Sequence, residues 1–139
     1  FDPELHSLTH CAVSNRLLSK RTLNLRAALD AGVSINIGTD GLSSNMSLNF
    51  LDELRANLLI HADFDPLKLA RVLLLASTKS AAKALNLDSG EIKTGKLADL
   101  ALYGGFAQAD AAQLPLMLIL HAKGCERLFV GGAEINLND

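Results

Sequence analysis

Asp40 is the residue of this sequence whose type and position best suit it to chemistry. It follows residues 33–37, in which apolar and small polar side chains alternate with the two-residue period of a β-strand. If the pleat continues past the strand, Asp40 lies on the same face as Asn36, beyond the carboxyl end. Catalytic groups of α/β barrels collect at such ends, so this carboxylate is a candidate metal ligand or general base. An ordinary turn formed with Gly41 is the alternative, since Asp-Gly is common turn chemistry.

A second polar stretch accompanies an earlier predicted strand, residues 6–11. His10 lies near the end of that strand, and the sequence predicts a polar loop containing Ser14 and Asn15. His10 and Cys11 do not form a nucleophilic pair, because neighbouring side chains on a strand point to opposite faces. Taken singly, His10 suits a partly buried histidine bonded to the backbone, and Ser14 and Asn15 suit ordinary turn formers.

Helices are predicted around the second strand, which makes this region a β/α step of an α/β fold. They cover residues 23–31, a segment capped by Ser47, a segment that begins at Asp65-Pro66, and a short segment from residue 77 or 78 to residue 84. Residues 67–76 are apolar on most sides, which predicts a buried helix. Ser44 and Asn45 either cap the helix that follows them or bind a polar ligand. His61 and His121 are predicted on helices, away from the strand ends, with structural roles.

The composition changes after residue 87. A strand is predicted over residues 97–103, one or two helical turns over residues 115–121, and a β-hairpin from strands 127–130 and 133–137. We therefore divide the chain into α/β material at residues 1–87 and a smaller β-rich unit at residues 88–139. Two β/α steps cannot close a barrel or cover both faces of their sheet, so the sequence predicts an incomplete fold.

Composition excludes several classes of function. The 139 residues are 49% hydrophobic and 20% charged, which is typical of globular protein. The net charge is −2 and no basic cluster exceeds Lys20-Arg21, which argues against a nucleic-acid partner. The apolar runs at residues 72–76 and 114–120 are too short to span a bilayer, so no membrane partner is expected. Two cysteines without CxxC spacing predict a reduced, cytoplasmic protein.

Three motifs carry a resemblance to a known family. They are HCAVSN at residues 10–15, GTDGLSSN at residues 38–45 and GEIKTGKLADL at residues 90–100. In this order they resemble the C-terminal third of the amidohydrolase superfamily, within its chlorohydrolase and S-adenosylhomocysteine deaminase branch. More narrowly, residues 14–19, 39–45 and 51–56 are similar to aminofutalosine deaminases of menaquinone biosynthesis.

The resemblance implies a fold, a cofactor and roles for four residues. The family fold is a (β/α)8 barrel with one divalent metal, zinc or iron, at its C-terminal mouth, so this chain would hold its last β/α units and part of a small composite β-domain. Asp40 matches the family's metal-binding aspartate, which also accepts a proton from the attacking water. His10, Ser14 and Asn15 match positions beside the substrate pocket, and the structural interpretations given above stay open for all three.

The departures from the family pattern limit what this chain does alone. It contains no HxH pair and no match to the other metal-binding histidine, and one carboxylate cannot hold a catalytic metal. We therefore expect the 139 residues to be inactive alone and to require a missing N-terminal barrel portion or an oligomer. The longer form is expected to deaminate an aminated purine nucleoside. Guanine or S-adenosylhomocysteine deamination, hydrolytic dehalogenation, and a non-catalytic binding or assembly module are the alternatives.

Overall fold

The computed structural model describes residue 2, residues 5–106 and residues 108–137. The first part of the chain alternates strands and helices: β1 (Ser7–His10), α1 (Ala12–Ser19), α2 (Leu25–Asp30), β2 (Ser34–Ile37), α3 (Phe50–Ile60), α4 (Pro66–Ser77) and α5 (Lys79–Ala84). The second part contains β3 (Leu100–Leu102), α6 (Leu114–His121), β4 (Arg127–Val130) and β5 (Ala133–Ile135). In this described part of the chain, no helix is long and apolar enough to cross a membrane.

Strands β1 and β2 pair in parallel and bring the two polar stretches together. Thr9 lies opposite Asn36, and His10 lies opposite Ile37. Because side chains alternate along a strand, Thr9 and Asn36 share one face of the pair while His10 and Ile37 share the other. The Thr9 hydroxyl donates to the Asn36 carboxamide oxygen at 2.6 Å, which fixes the register on the polar face.

Local capping explains where the central helices begin. The Asp65 carboxylate accepts from the backbone N–H of Lys68 at 2.9 Å and Pro66 is the first residue of α4, as the sequence predicts. The prediction that Ser47 caps the preceding helix is wrong by two residues. Asn49 caps α3 by accepting from the N–H of Leu51, and the Ser47 hydroxyl instead accepts from the N–H of Asn49.

The prediction of a polar loop at Ser14 and Asn15 is also wrong, because both residues belong to α1. The N-cap residue of this helix, Cys11, provides no side-chain hydrogen bond. A cap comes instead from a different helix, since the Glu53 carboxylate of α3 accepts from the N–H of Val13 at 3.2 Å. A helix stabilised by a distant residue has no local start signal.

The core lies between β2 and helices α3, α4 and α6. Helix α4 buries one face, formed by Leu69, Ala70, Leu73 and Ala76, rather than most of its surface as predicted. Its apolar partners cover only that side, and Leu75 remains 46% exposed. Ile119 of α6 is fully buried and belongs to the same core, so the second part of the chain packs against the first.

The predicted hairpin is confirmed, and the strand before it is shorter than predicted. Strands β4 and β5 pair antiparallel around Gly131 and Gly132, whose φ angles of 58° and 86° suit a tight hairpin turn. Strand β3 completes a three-stranded sheet of order β3-β4-β5. Asp99 lies just before β3, and its carboxylate accepts from the N–H of Gly131 at 2.8 Å, which ties the turn to the start of the strand.

Candidate functional site

Asp40 lies in a short loop directly after β2. The strand ends at Ile37, and Asp40 itself has a φ of 61°, in the left-handed region that aspartate tolerates better than most residues. The pleat therefore does not continue to Asp40, and the predicted alternation does not set the direction of its side chain. Gly38 allows this loop to approach β1, because a Cβ there would lie 3.0 Å from the Thr9 methyl group and 3.2 Å from the Cys11 sulfur.

Two serine hydroxyls hold the Asp40 carboxylate. Ser14 of α1 and Ser44 of the loop after β2 both donate to Oδ2, at 2.7 Å and 2.8 Å. The hydroxyl of Ser14, then that of Ser44, and the backbone N–H of Gly41 together hold the pKa of Asp40 below its ordinary value, against a smaller opposing effect of desolvation. Among the described residues no side chain donates to Oδ1. The result is an exposed, anionic carboxylate whose Oδ2 is held by two hydroxyls.

The structure places the predicted substrate residues in two different surroundings. Ser14 is almost fully buried, and its hydroxyl donates to the Asp40 carboxylate. His10 lies on the face of the strand pair opposite to Thr9 and Asn36, is fully buried, and has side chains rather than backbone as partners. Its Nε2 lies 3.0 Å from Nε2 of His61, and its Nδ1 lies 3.4 Å from Nδ2 of Asn15. Substrate contact by His10, Ser14 and Asn15 stays a prediction.

His61 lies close to the end of a strand, although the sequence predicts a position away from the strand ends. It is the C-cap residue of α3 and meets His10 at the carboxyl end of β1. The reason is that His10 points toward the helices, where α3 packs. Burial, and after it the charge of the neighbouring His61, lowers the pKa of His10 to about 4. Burial also lowers the pKa of His61, while nearby Asp63 opposes that effect.

Three buried polar residues lie beside the site: Asn45, which the sequence indicated, and Glu53 and Asn57, which it did not. Glu53 accepts from Asn45 Nδ2 at 2.9 Å, and Asn45 also donates to the backbone oxygen of Thr39 at 2.7 Å. The sequence left helix capping and ligand binding as the two alternatives for Asn45. In the structure its carboxamide oxygen has a further partner, since it accepts from the N–H of Ser47. The available signal was the spacing of Glu53 and Asn57, which are four residues apart and therefore share a helix face.

The residues of this site fit one ligand position of a metal centre. An exposed, anionic carboxylate is a good ligand for a divalent cation. In the part of the chain that the structure describes, no three His, Cys, Asp or Glu side chains are close enough together to hold a metal ion. Asp40 therefore fits as one ligand, and any further protein ligands come from other residues.

Removal of the two hydroxyls is expected to raise the pKa of Asp40. Ser14→Ala and Ser44→Ala each delete one donor that stabilises the anion, so each raises the pKa and the double variant raises it most. The measurement is the pH titration of the Asp40 carboxyl carbon by NMR in the metal-free protein. Ser47→Ala is the control, since that hydroxyl bonds to the N–H of Asn49 instead. An unchanged pKa in the double variant would show that these contacts do not form in solution.

Comparisons with known proteins agree with this geometry. Residues 3–133 match the family described as the amidohydrolase family. The chain is 48% identical over 128 residues to the adenosine deaminase of Helicobacter pylori, covering 92% of this chain and 31% of that protein. It is 36% identical over 130 residues to the aminodeoxyfutalosine deaminase of a Nitratiruptor species, covering 91% and 31%. The chain thus spans about a third of the length of the curated relatives it matches.

Two solved structures are similar over almost all of this chain. One is the Helicobacter pylori aminofutalosine deaminase in complex with methylthio-coformycin, with a TM-score of 0.89 at 48% identity, covering 94% of this chain and 32% of that chain. The other is an adenosine deaminase from Xanthomonas campestris with bound zinc, with a TM-score of 0.73 at 28% identity, covering 92% and 31%.

Proposed function

Since this chain belongs to the amidohydrolase family, we propose that it is the part of a metal-dependent hydrolase that contains Asp40. We propose that this hydrolase deaminates an adenine-type nucleoside, aminofutalosine or a close relative. The observation that carries the proposal is the Asp40 carboxylate, exposed just after the end of β2 with Oδ2 held by two hydroxyls. The 48% identity to a structure solved as an aminofutalosine deaminase supports the choice of substrate. Menaquinone biosynthesis and a cytoplasmic location are part of the same proposal.

We propose further that residues 1–87 form the last β/α units of a (β/α)8 barrel and that residues 88–139 form part of a small composite β-domain. The parallel pairing of β1 with β2, and the helices that connect and follow them, support the first assignment. The antiparallel order β3-β4-β5 supports the second. The other strands of such a barrel, and the histidine ligands, would come from a longer polypeptide or from a partner chain.

In the proposed mechanism, the residues of this chain provide one metal ligand and transfer one proton. A divalent metal, zinc or iron, would supply an activated water by lowering its pKa to about 7. Asp40 would be one ligand of the metal, would accept the proton released as water attacks the amine-bearing carbon, and would return it to the leaving ammonia. Ser14 and Ser44 would keep the carboxylate ionised and oriented for both tasks.

The second candidate is a non-catalytic binding or assembly module. The absence of a three-residue metal cluster among the described residues favours it. The exposed and hydroxyl-bound Asp40 favours the enzyme, because a binding module has no need of an oriented anion at that point. Activity measurements on the protein encoded by the complete gene separate the two.

The decisive experiment is ammonia release by that protein, loaded with zinc or with iron, from a panel of substrates. We expect the highest kcat/KM with aminofutalosine, lower values with methylthioadenosine and adenosine, and no turnover of guanine or a chlorinated triazine. No release from any substrate with either metal would contradict the enzyme proposal. The 139-residue chain assayed alone is expected to be inactive, since a catalytic metal site normally needs three protein ligands.

A further inference from the structure

Glu53 is a buried carboxylate that the proposed chemistry does not use. It is 1% exposed, in the first turn of α3, and it forms no ion pair with a described lysine, arginine or histidine. Its hydrogen-bond partners are neutral: the N–H of Val13 at 3.2 Å, Asn45 Nδ2 at 2.9 Å and Asn57 Nδ2 at 3.4 Å. A buried charge is costly unless hydrogen bonds compensate it. The segments that supply these donors therefore indicate what Glu53 does.

The first of these donors lies at the start of the helix that carries Ser14. Val13 is the second residue of α1, whose N-cap residue Cys11 makes no side-chain hydrogen bond. Glu53 Oε1 therefore caps α1 from another helix, and its negative charge is favourable at a helix N-terminus. Ser14 follows Val13 directly, so this contact fixes the segment from which the Ser14 hydroxyl reaches Asp40.

The second donor lies in the loop that carries Asp40 and Ser44. Asn45 bridges Glu53 Oε2 and the backbone oxygen of Thr39 with its one amide group. Thr39 precedes Asp40 in the chain, and Ser44 precedes Asn45. The second carboxylate oxygen of Glu53 therefore fixes the loop at both of its ends.

We propose that Glu53 is a positioning residue for Asp40, because one buried carboxylate anchors both segments whose hydroxyls hold Asp40 Oδ2. The inference rests on the proposed role of Asp40 as a metal ligand. Glu53 acts through Val13 and Asn45 and touches neither substrate nor metal. Its effect is to keep Oδ2 bonded to Ser14 and Ser44, which fixes the orientation of the carboxylate.

The test is the zinc affinity of the protein encoded by the complete gene, measured without substrate by competition with a chromophoric chelator. Glu53→Gln keeps the size of the side chain but replaces one carboxylate oxygen with an amide nitrogen, which cannot accept a hydrogen bond. The bond from either Val13 N–H or Asn45 Nδ2 is therefore lost. We expect the Kd for Zn²⁺ to rise about 10- to 100-fold, the range for residues that orient a metal ligand. We also expect kcat to fall with little change in KM. Asp52→Asn, the exposed neighbour on the same helix, is the control and is expected to leave both unchanged.

Measurements in a second mutant background distinguish positioning of Asp40 by Glu53 from a purely structural role of Glu53. In a Ser14→Ala/Ser44→Ala protein the hydroxyls through which Glu53 acts are gone, so Glu53→Gln should weaken zinc binding by less than twofold further. Asn45→Ala, which leaves Glu53 in place, should give a partial loss and provides a second measurement should Glu53→Gln fail to fold, as judged by circular dichroism. Equal losses in both backgrounds, or an unchanged Kd in folded Glu53→Gln and Asn45→Ala, would overturn the inference while leaving the proposed function intact. A parent protein that binds no zinc or iron would overturn both.

Discussion

Asp40→Asn is expected to lower kcat/KM for deamination by about 10²- to 10⁴-fold, the range for loss of a positioned proton acceptor. The substitution keeps the shape of the side chain and an oxygen that Ser14 and Ser44 can donate to. It removes the negative charge, however, and with it both the proton acceptor and the anionic metal ligand. The amide oxygen is a weaker ligand for a divalent cation, so bound metal is expected to fall as well.

The measurement combines steady-state kinetics on the protein encoded by the complete gene with its metal content. Asp88→Asn is the matched control, since that aspartate is an exposed partner of Lys96, away from the site. We expect the control to keep the parent activity. An Asp40→Asn protein with full activity and full metal content would remove Asp40 from the proposed mechanism.

The parts of the fold that could be predicted are those with local causes. Strand β2 follows from two-residue alternation, the start of α4 from Asp65 beside Pro66, and the hairpin from Gly131-Gly132 between apolar strands. Asp40 could be placed at the end of β2 because strand position is set by the nearby pattern. These features depend on residues within a few positions of each other, so one sequence contains enough information to predict them.

The parts that could not be predicted depend on partners far along the chain. Helix α1 begins where Glu53 caps it from 40 positions away, so Ser14 and Asn15 looked like loop residues. The pleat of β2 does not set the orientation of Asp40, and one of the two hydroxyls that hold it, that of Ser14, lies 26 positions earlier. His61 meets His10 across 51 positions, and neither residue has a local feature that indicates the other. Tertiary contacts decided all three, and periodicity contains no information about them.

The His10–His61 pair has a further consequence for stability. Both rings are buried, and their Nε2 atoms lie 3.0 Å apart, so one ring donates and the other accepts. Asn15 Nδ2 lies against His10 Nδ1, which makes that nitrogen the acceptor and Nε2–H of His10 the donor. This arrangement needs both rings neutral, since a proton on Nε2 of His61 would face the N–H of His10, and a proton on Nδ1 of His10 would face the amide group of Asn15. Asp63 is the charged group that favours protonation of His61.

Stability is therefore expected to fall as the pH is lowered from about 6.5 to about 4. The pKa of His10 is about 4 in the folded protein and near 6.5 when unfolded, so between these values the unfolded chain binds more protons and acid favours it. His10 contributes up to about 3 kcal/mol to this loss, since each pKa unit corresponds to about 1.4 kcal/mol. Urea unfolding measured between pH 4 and pH 8 gives the free energy of unfolding directly. His10→Gln should make this pH dependence shallower, whereas His121→Gln, at the exposed end of α6, should leave it unchanged. An equally steep fall in the His10→Gln protein would show that the acid sensitivity arises elsewhere.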